Sequence, residues 1–263
     1  MKNISGKVAI VTGSSSGVGA ATANLLAASG CHVAINFSRS EESAQAVARS
    51  CEKHGVETVV CRANVAEDGD CQRLVNAAIE KWGQVDILVN NAGTTKFCDH
   101  HQLDGLDAVD FQRIYSVNVV GVYQMTRAVH RHLENTDRNG DVVNVASTAA
   151  ITGIGSSVAY AASKGALVTM TLSLARALGP KLRINAVCPG FIQGDWLRKG
   201  LGDEVYERFM AQNEQSAPLG VTATAETVAE AILHFIVGPQ IVTGETLIVD
   251  GGRHLTQTPL TRR

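Results

Sequence analysis

Tyr160 and Lys164 stand four residues apart in the stretch Ser156 to Ala166. In a helix that spacing sets a phenol and an ammonium on one face. A cation beside a phenol favours phenolate, so Lys164 is expected to draw Tyr160 from its usual pKa of about 10 toward the working pH of an acid/base catalyst. Taken alone, the pair also suits two solvated side chains. Ser147 precedes Tyr160 by thirteen residues, room for a loop and the first turn of a helix. Its hydroxyl can then face the phenol, although a serine there also suits a cap or a turn. Asn118 falls in an apolar helical stretch, where an amide is costly unless hydrogen-bonded. It serves either to join backbone or to hold a water.

The elements that must position these groups alternate between strand and helix. Val8-Ala9-Ile10-Val11 reads as a buried central strand that ends in Thr12-Gly13. A glycine-rich turn, Ser14 to Gly19, follows it and opens a helix from Ala20 to Ser29. Such a turn lets backbone approach a pyrophosphate, which the helix amides and dipole favour. The second strand is His32 to Phe37. Its far end carries Phe37, Ser38, Arg39 and Ser40 in place of the carboxylate that commonly holds the ribose 2′-hydroxyl of NAD. A guanidinium and hydroxyls suit a 2′-phosphate, so NADP(H) is the expected cofactor and NAD(H) the alternative.

Further helices are expected from Glu41 to His54 and Glu67 to Trp82, with strands at Thr58 to Cys61 and Val85 to Val89. Asn90-Asn91-Ala92-Gly93 closes that fourth strand at the edge where such sheets bind ligands. A single helix from Ala108 to Leu133 then leads to strands Asp141 to Ala146 and Leu182 to Val187, with a helix from Tyr160 to Leu178 between them. The segment Trp196 to Gln215 breaks the alternation with a charged amphipathic insert. We expect a substrate lid over residues 190–215. A helix from Glu226 to Ile236, the strand at Thr246 and a polar, partly disordered tail from Arg253 to Arg263 complete the chain. Repeated βα units specify an α/β fold: a single-domain doubly wound parallel sheet, Rossmann-like, with helices on both faces over residues 1–263.

Composition agrees: 45% hydrophobic, 18% charged and 25 glycines among 263 residues. A formal charge of −2 gives no footprint for nucleic acid or an anionic membrane. A small-molecule or carrier-bound carbonyl substrate is expected. The amino end lacks a signal region and no apolar run reaches about 18 residues, so no membrane association is expected. Six cysteines without a Cys-x-x-Cys pair suit free thiols in a reducing cytoplasm. Cys98, Asp99, His100 and His101 read as a polar loop, and no metal is expected.

Thr12-Gly13-x-x-x-Gly17-x-Gly19, Asn90-Asn91-Ala92-Gly93, Asn118, Ser147, Tyr160-x-x-x-Lys164 and Pro189-Gly190 resemble, in order and spacing, the short-chain dehydrogenase/reductase family, from about Gly6 to Gly252. The resemblance implies that Tyr160 protonates a carbonyl oxygen during reduction, or removes the proton in reverse. It implies that Lys164 binds the nicotinamide ribose, Ser147 hydrogen-bonds the carbonyl and Asn118 anchors a relay water. Cofactor contacts are implied at Gly13, Ser15, Ser16, Gly17, Val18 and Gly19, at Phe37, Ser38, Arg39, Asn64 and Val65, and at Asn91, Ala92 and Gly93. Others are implied at Tyr160, Lys164, Pro189, Gly190 and Ile192. Asn64 stands where the family commonly has Asp, and Gly194 where a Thr often follows. On that basis Gly194→Thr is expected to tighten cofactor binding.

Thr243-Gly244-Glu245-Thr246 and Val249-Asp250-Gly251-Gly252 resemble the carboxyl end of bacterial β-ketoacyl-acyl-carrier-protein reductases. The implied function is hydride transfer between NADP(H) and a carbonyl or secondary alcohol, such as a 3-oxoacyl thioester or small ketone. Two alternatives stand beside it: an NAD-dependent sugar or steroid alcohol dehydrogenase, and a non-catalytic dinucleotide-binding protein. The family and the small residues along the helix from Tyr160 to Leu178 also imply a homotetramer.

Overall fold

In the computed structural model, which describes residues 2–134 and 136–256, seven parallel strands form one sheet. The chain runs β1 Val8–Val11, α1 Gly17–Ala28, β2 His32–Phe37, α2 Glu41–Glu52, β3 Thr58–Arg62, α3 Asp68–Trp82 and β4 Ile87–Asn90. It continues with α4 Ala108–Tyr115, a π-helical segment Ser116–Gly121, α5 Val122–Glu134, β5 Gly140–Val145, a short α6 Ala149–Thr152, α7 Val158–Leu178 and β6 Leu182–Pro189. Helices α8 Asp195–Leu201, α9 Asp203–Ser216 and α10 Ala225–Val237 precede β7 Thr246–Val249. The strand order is β3-β2-β1-β4-β5-β6-β7. This is the expected Rossmann-like sheet, and the order reverses between β1 and β4, the switch point at which such sheets open a ligand crevice.

Both faces of the sheet are covered, which is why its central strands read as unbroken apolar runs. Alternate residues serve opposite layers. Ala9 and Val11 pack with Leu26 of α1 and Ile232 of α10, whereas Val8 and Ile10 pack with Leu74 of α3 and Met125 of α5. By length and composition α7 could cross a membrane, yet it lies against β6 and α4 with Ser163, Lys164 and Thr171 buried along it. These polar residues interrupt its apolar run.

Two expected elements differ. Ala108 to Leu133 is not one α-helix but two joined by the π segment. The loop before α7 contains α6, too short a turn for a hydrophobic pattern to mark. Of the tail, Arg253–Leu255 forms a 3₁₀ turn, and residues 257–263 lie outside the described residues.

Candidate active site

One cleft along the carboxyl edge of the sheet collects the residues named above as catalytic or as cofactor contacts, apart from Gly19 and Asn118. Its nucleotide end is assembled by part-buried hydrogen bonds. Thr12 Oγ1 accepts the amides of Asn91 and Ala92, both at 3.0 Å, while Asn91 Nδ2 donates to the carbonyls of Thr12 at 2.9 Å and Gly13 at 3.1 Å. The two loops at the switch point are thus interlocked. Gly13 and Gly17 have φ of +61° and +54°, conformations that glycine alone adopts freely. Gly19 does not line the cleft; a Cβ there would meet Gly13 O at 2.4 Å and Asn91 Nδ2 at 2.5 Å. Its work is close packing beneath the turn. Ser16 caps α1 without a side-chain bond, which leaves first-turn amides available to an anion.

Sequence reasoning missed Asn36, a 2% exposed amide inside β2. Its Oδ1 accepts Gly13 N at 2.9 Å and its Nδ2 donates to Ala63 O at 3.0 Å. A polar residue in an otherwise apolar strand was the available signal. One side chain therefore joins the glycine turn, the end of β2 and the end of β3. Asn64, by contrast, is exposed, and its Oδ1 accepts Ala66 N at 3.2 Å. Phe37, Ser38 and Arg39 border the cleft without a carboxylate at the end of β2.

The reacting end is delivered by β5 and α7. Ser157 caps α7 by accepting Tyr160 N at 3.2 Å, fixing the first turn and the phenol with it. Lys164 is 4% exposed; its Nζ donates to Val145 O at 2.8 Å and lies 5.6 Å from the centre of the Tyr160 ring. Burial pushes the phenol up to about 12, against a downward pull from a Ser147 hydrogen bond. Burial also brings the ammonium down to about 8. The expectation that Lys164 draws Tyr160 toward neutrality is therefore corrected: desolvation opposes the charged form of each group, and the downward pull on the phenol comes from Ser147.

Asn118 is fully buried in the π segment, and its side chain is consumed. Oδ1 accepts Thr94 N at 2.8 Å, and Nδ2 donates to Thr94 O and Ser163 Oγ, both at 3.0 Å. Ser163 Oγ in turn donates to Tyr160 O at 2.7 Å. The amide joins backbone. A π turn widens the helix and shifts its backbone hydrogen bonds to i→i+5, which aims the amide sideways at the loop after β4.

Part of the segment 190–215 lines the cleft. Phe97 packs on the backbone of α8, where a Gly200 Cβ would overlap its ring. The Trp196 ring lies 5.7 Å from Phe97 and 6.2 Å from Tyr160, centre to centre. Trp196, Leu197 and Phe209 line the cleft. Arg198 sits 4.1 Å over the Tyr206 ring and pairs with Asp203 at 2.9 Å and Glu207 at 2.6 Å, joining α8 to α9. Gly194 caps α8 with φ +145°, and its N–H donates to Tyr206 Oη at 3.0 Å. That φ disfavours any L side chain, so the expected benefit of threonine at this position does not hold. His100 Nε2 lies 3.1 Å from Gly155 O, and among the described residues no three His, Cys, Asp or Glu side chains gather as a metal site would require.

The residues present fit a dinucleotide: backbone-exposing glycines, free helix amides and a continuous cleft from Arg39 to Tyr160. Comparison with known proteins agrees. A family model described as enoyl-(acyl carrier protein) reductase matches residues 13–254. A protein of Streptomyces violaceoruber, whose name describes a ketoacyl reductase of granaticin polyketide synthase, is 40% identical over 94% of this chain and 96% of its own. The 3-oxoacyl-[acyl-carrier-protein] reductase of a Synechocystis species is 33% identical over 96% and 98%. A solved structure from Burkholderia xenovorans, described as a short-chain dehydrogenase/reductase, superposes with a TM-score of 0.87 at 37% identity, covering 96% and 99% of the two chains.

Proposed function

Because this chain belongs to the short-chain dehydrogenase/reductase family, oxidoreductases that move a hydride between NAD(P)(H) and a carbonyl or secondary alcohol, we propose that it is an NADP(H)-preferring carbonyl reductase acting on a 3-oxoacyl thioester or small ketone. One observation carries the reading: a half-buried phenol and a buried ammonium 5.6 Å from its ring stand with Ser147 at the far end of a cleft that begins at the glycine turn. The bound nicotinamide supplies hydride to the carbonyl carbon. Ser147 donates to the carbonyl oxygen and holds it against Tyr160. Tyr160, whose pKa burial pushes up to about 12 so that it is protonated at neutral pH, gives that oxygen its proton in reduction and takes it back in the reverse reaction. Lys164 remains an ammonium below about pH 8 and binds the ribose. Asn118 acts through position, tying Thr94 to α7, and its main chain is left to hold the relay water.

Residues 190–215 serve as the lid, with Trp196 and Phe97 excluding water from the phenol. Arg39 reads the 2′-phosphate. Six unpaired thiols support a reducing, cytoplasmic setting, and apolar residues left exposed on α5 and α7 support a homotetramer.

Loss of NADPH absorbance, then of NADH, on mixing with an acetoacetyl thioester tests the reading, with Tyr160→Phe in parallel. The expected result is turnover with NADPH that falls by about 10²–10⁴ in the Phe variant while cofactor binding persists. Binding without turnover on any carbonyl would leave the family assignment and remove this substrate class.

A further inference from the structure

We propose that Arg62, at the end of β3, is a second reader of the cofactor 2′-phosphate and closes on it from the side opposite Arg39; this rests on the NADP(H) reading above. Five arginines border the cleft: Arg39, Arg62, Arg73, Arg113 and Arg253. Three are already engaged. Arg73 pairs with Asp70 at 2.7 Å, Arg113 with Asp110 at 3.5 Å, and Arg253 Nε donates to Ser216 Oγ at 3.2 Å. Among the described residues the guanidiniums of Arg39 and Arg62 make neither an ion pair nor a hydrogen bond, and both residues are exposed.

Sheet register brings these two cations together. Arg62 is the direct partner of Phe37, so its backbone lies about 5 Å from the residue that ends β2. Arg39 follows two residues later, on the turn into α2. The ribose of a nucleotide seated on the glycine turn reaches the end of β2. Its 2′ position therefore lies between the strand end that carries Arg62 and the turn that carries Arg39. Two planar guanidiniums around a dianion are the arrangement that favours phosphate over a bare hydroxyl.

The base of Arg62 is fixed on both sides. Its carbonyl accepts Arg73 Nη2 at 3.1 Å, the next amide, of Ala63, donates to Phe37 O at 2.9 Å, and Asn36 grips Ala63 O. A rigid base reduces the ordering cost of binding. Acidic neighbours do not cancel the charge at close range. Asp70 is held by Arg73 and by Asn64 N at 2.8 Å, and Glu67, the other carboxylate beside Arg62 in the cleft lining, makes no ion pair with it.

The experiment measures binding, not turnover. The full-length protein and its R62A, R62K and R39A variants are titrated calorimetrically with 2′,5′-ADP and 5′-AMP, and by fluorescence with NADPH and NADH. R62A is expected to weaken 2′,5′-ADP and NADPH by about 10–50-fold, the range of a lost charge-assisted hydrogen bond, with 5′-AMP and NADH within about twofold. R62K should recover part of the loss, and the melting temperature should not move, since the exposed side chain makes neither an ion pair nor a hydrogen bond among the described residues. Equal weakening of both ligand pairs would overturn the proposal and mean that Arg62 stacks on adenine. Unchanged binding by R62A in a protein that still prefers NADPH would overturn it in favour of Arg39 alone. A wild-type protein that binds NADPH and NADH equally would instead remove the NADP(H) reading, and the proposal with it.

Discussion

Lys164 holds a charge where the fold resists one. Its pKa near 8 lies below the ordinary 10.5, so between those values the unfolded chain binds the extra proton and the folded chain does not. Stability from this group therefore rises with pH from about 8 to about 10.5, and the full cost of the buried ammonium is present below pH 8. Lys164→Met keeps the length and removes the charge. We expect it to raise the unfolding free energy at pH 7 by about 1–2 kcal/mol, the shift less the lost bond to Val145 O, and to abolish turnover; urea denaturation at pH 7 and pH 10.5 should show the gain shrinking at the higher pH. Tyr160 runs the other way, because folding keeps its proton from about pH 10 to about pH 12 and so loses stability across that window. The spacing of Tyr160 and Lys164 was legible in the sequence. Their pKa values were not, since desolvation comes from residues far apart in the chain that pack around the two groups, which no local pattern reports.

Gly19 and Gly194 are both glycines of the cofactor half, and they fail for different reasons when a side chain is added. Gly19→Ala drives a methyl group into Gly13 O and Asn91 Nδ2, so the interlock between the loops after β1 and β4 must open. A stability loss of about 1–3 kcal/mol and at least a tenfold weaker NADPH complex are expected from thermal melting and fluorescence titration. Gly194→Thr meets no atom within 4 Å; its cost is the backbone conformation at φ +145°. We expect about 1 kcal/mol or more of destabilisation and a higher KM from a misplaced α8, with the NADPH dissociation constant unimproved. The strands and most helices were legible because their apolar periods are long and their ends carry glycine. Asn36, Asn118 and the π segment were harder, because a buried amide says only that it needs partners and not which loops supply them.

The proposed tetramer has apolar surface available to it. Val158 and Leu172 of α7 are 40% and 50% exposed, Val120 of the π segment 45% and Tyr123 of α5 44%. Light scattering is expected to give about four times the 27.8 kDa chain mass, and a monomer would refute the tetramer. Tyr123→Glu should lower that mass without changing cofactor binding.

The strand order also governs how the protein is made. β1 is synthesised before the other strands of the sheet, yet it finishes as an inner strand whose second neighbour, β4, begins only at Ile87. Until that point is synthesised, a nascent β1-β2-β3 unit carries an open, wholly apolar edge at Val8–Val11, the kind of edge on which chains aggregate. Cofactor cannot protect it, because the pyrophosphate turn is braced by Asn91, on the far side of the gap. A chain cut short before Ile87 is therefore expected to aggregate where the full chain does not, which light scattering of the two would check.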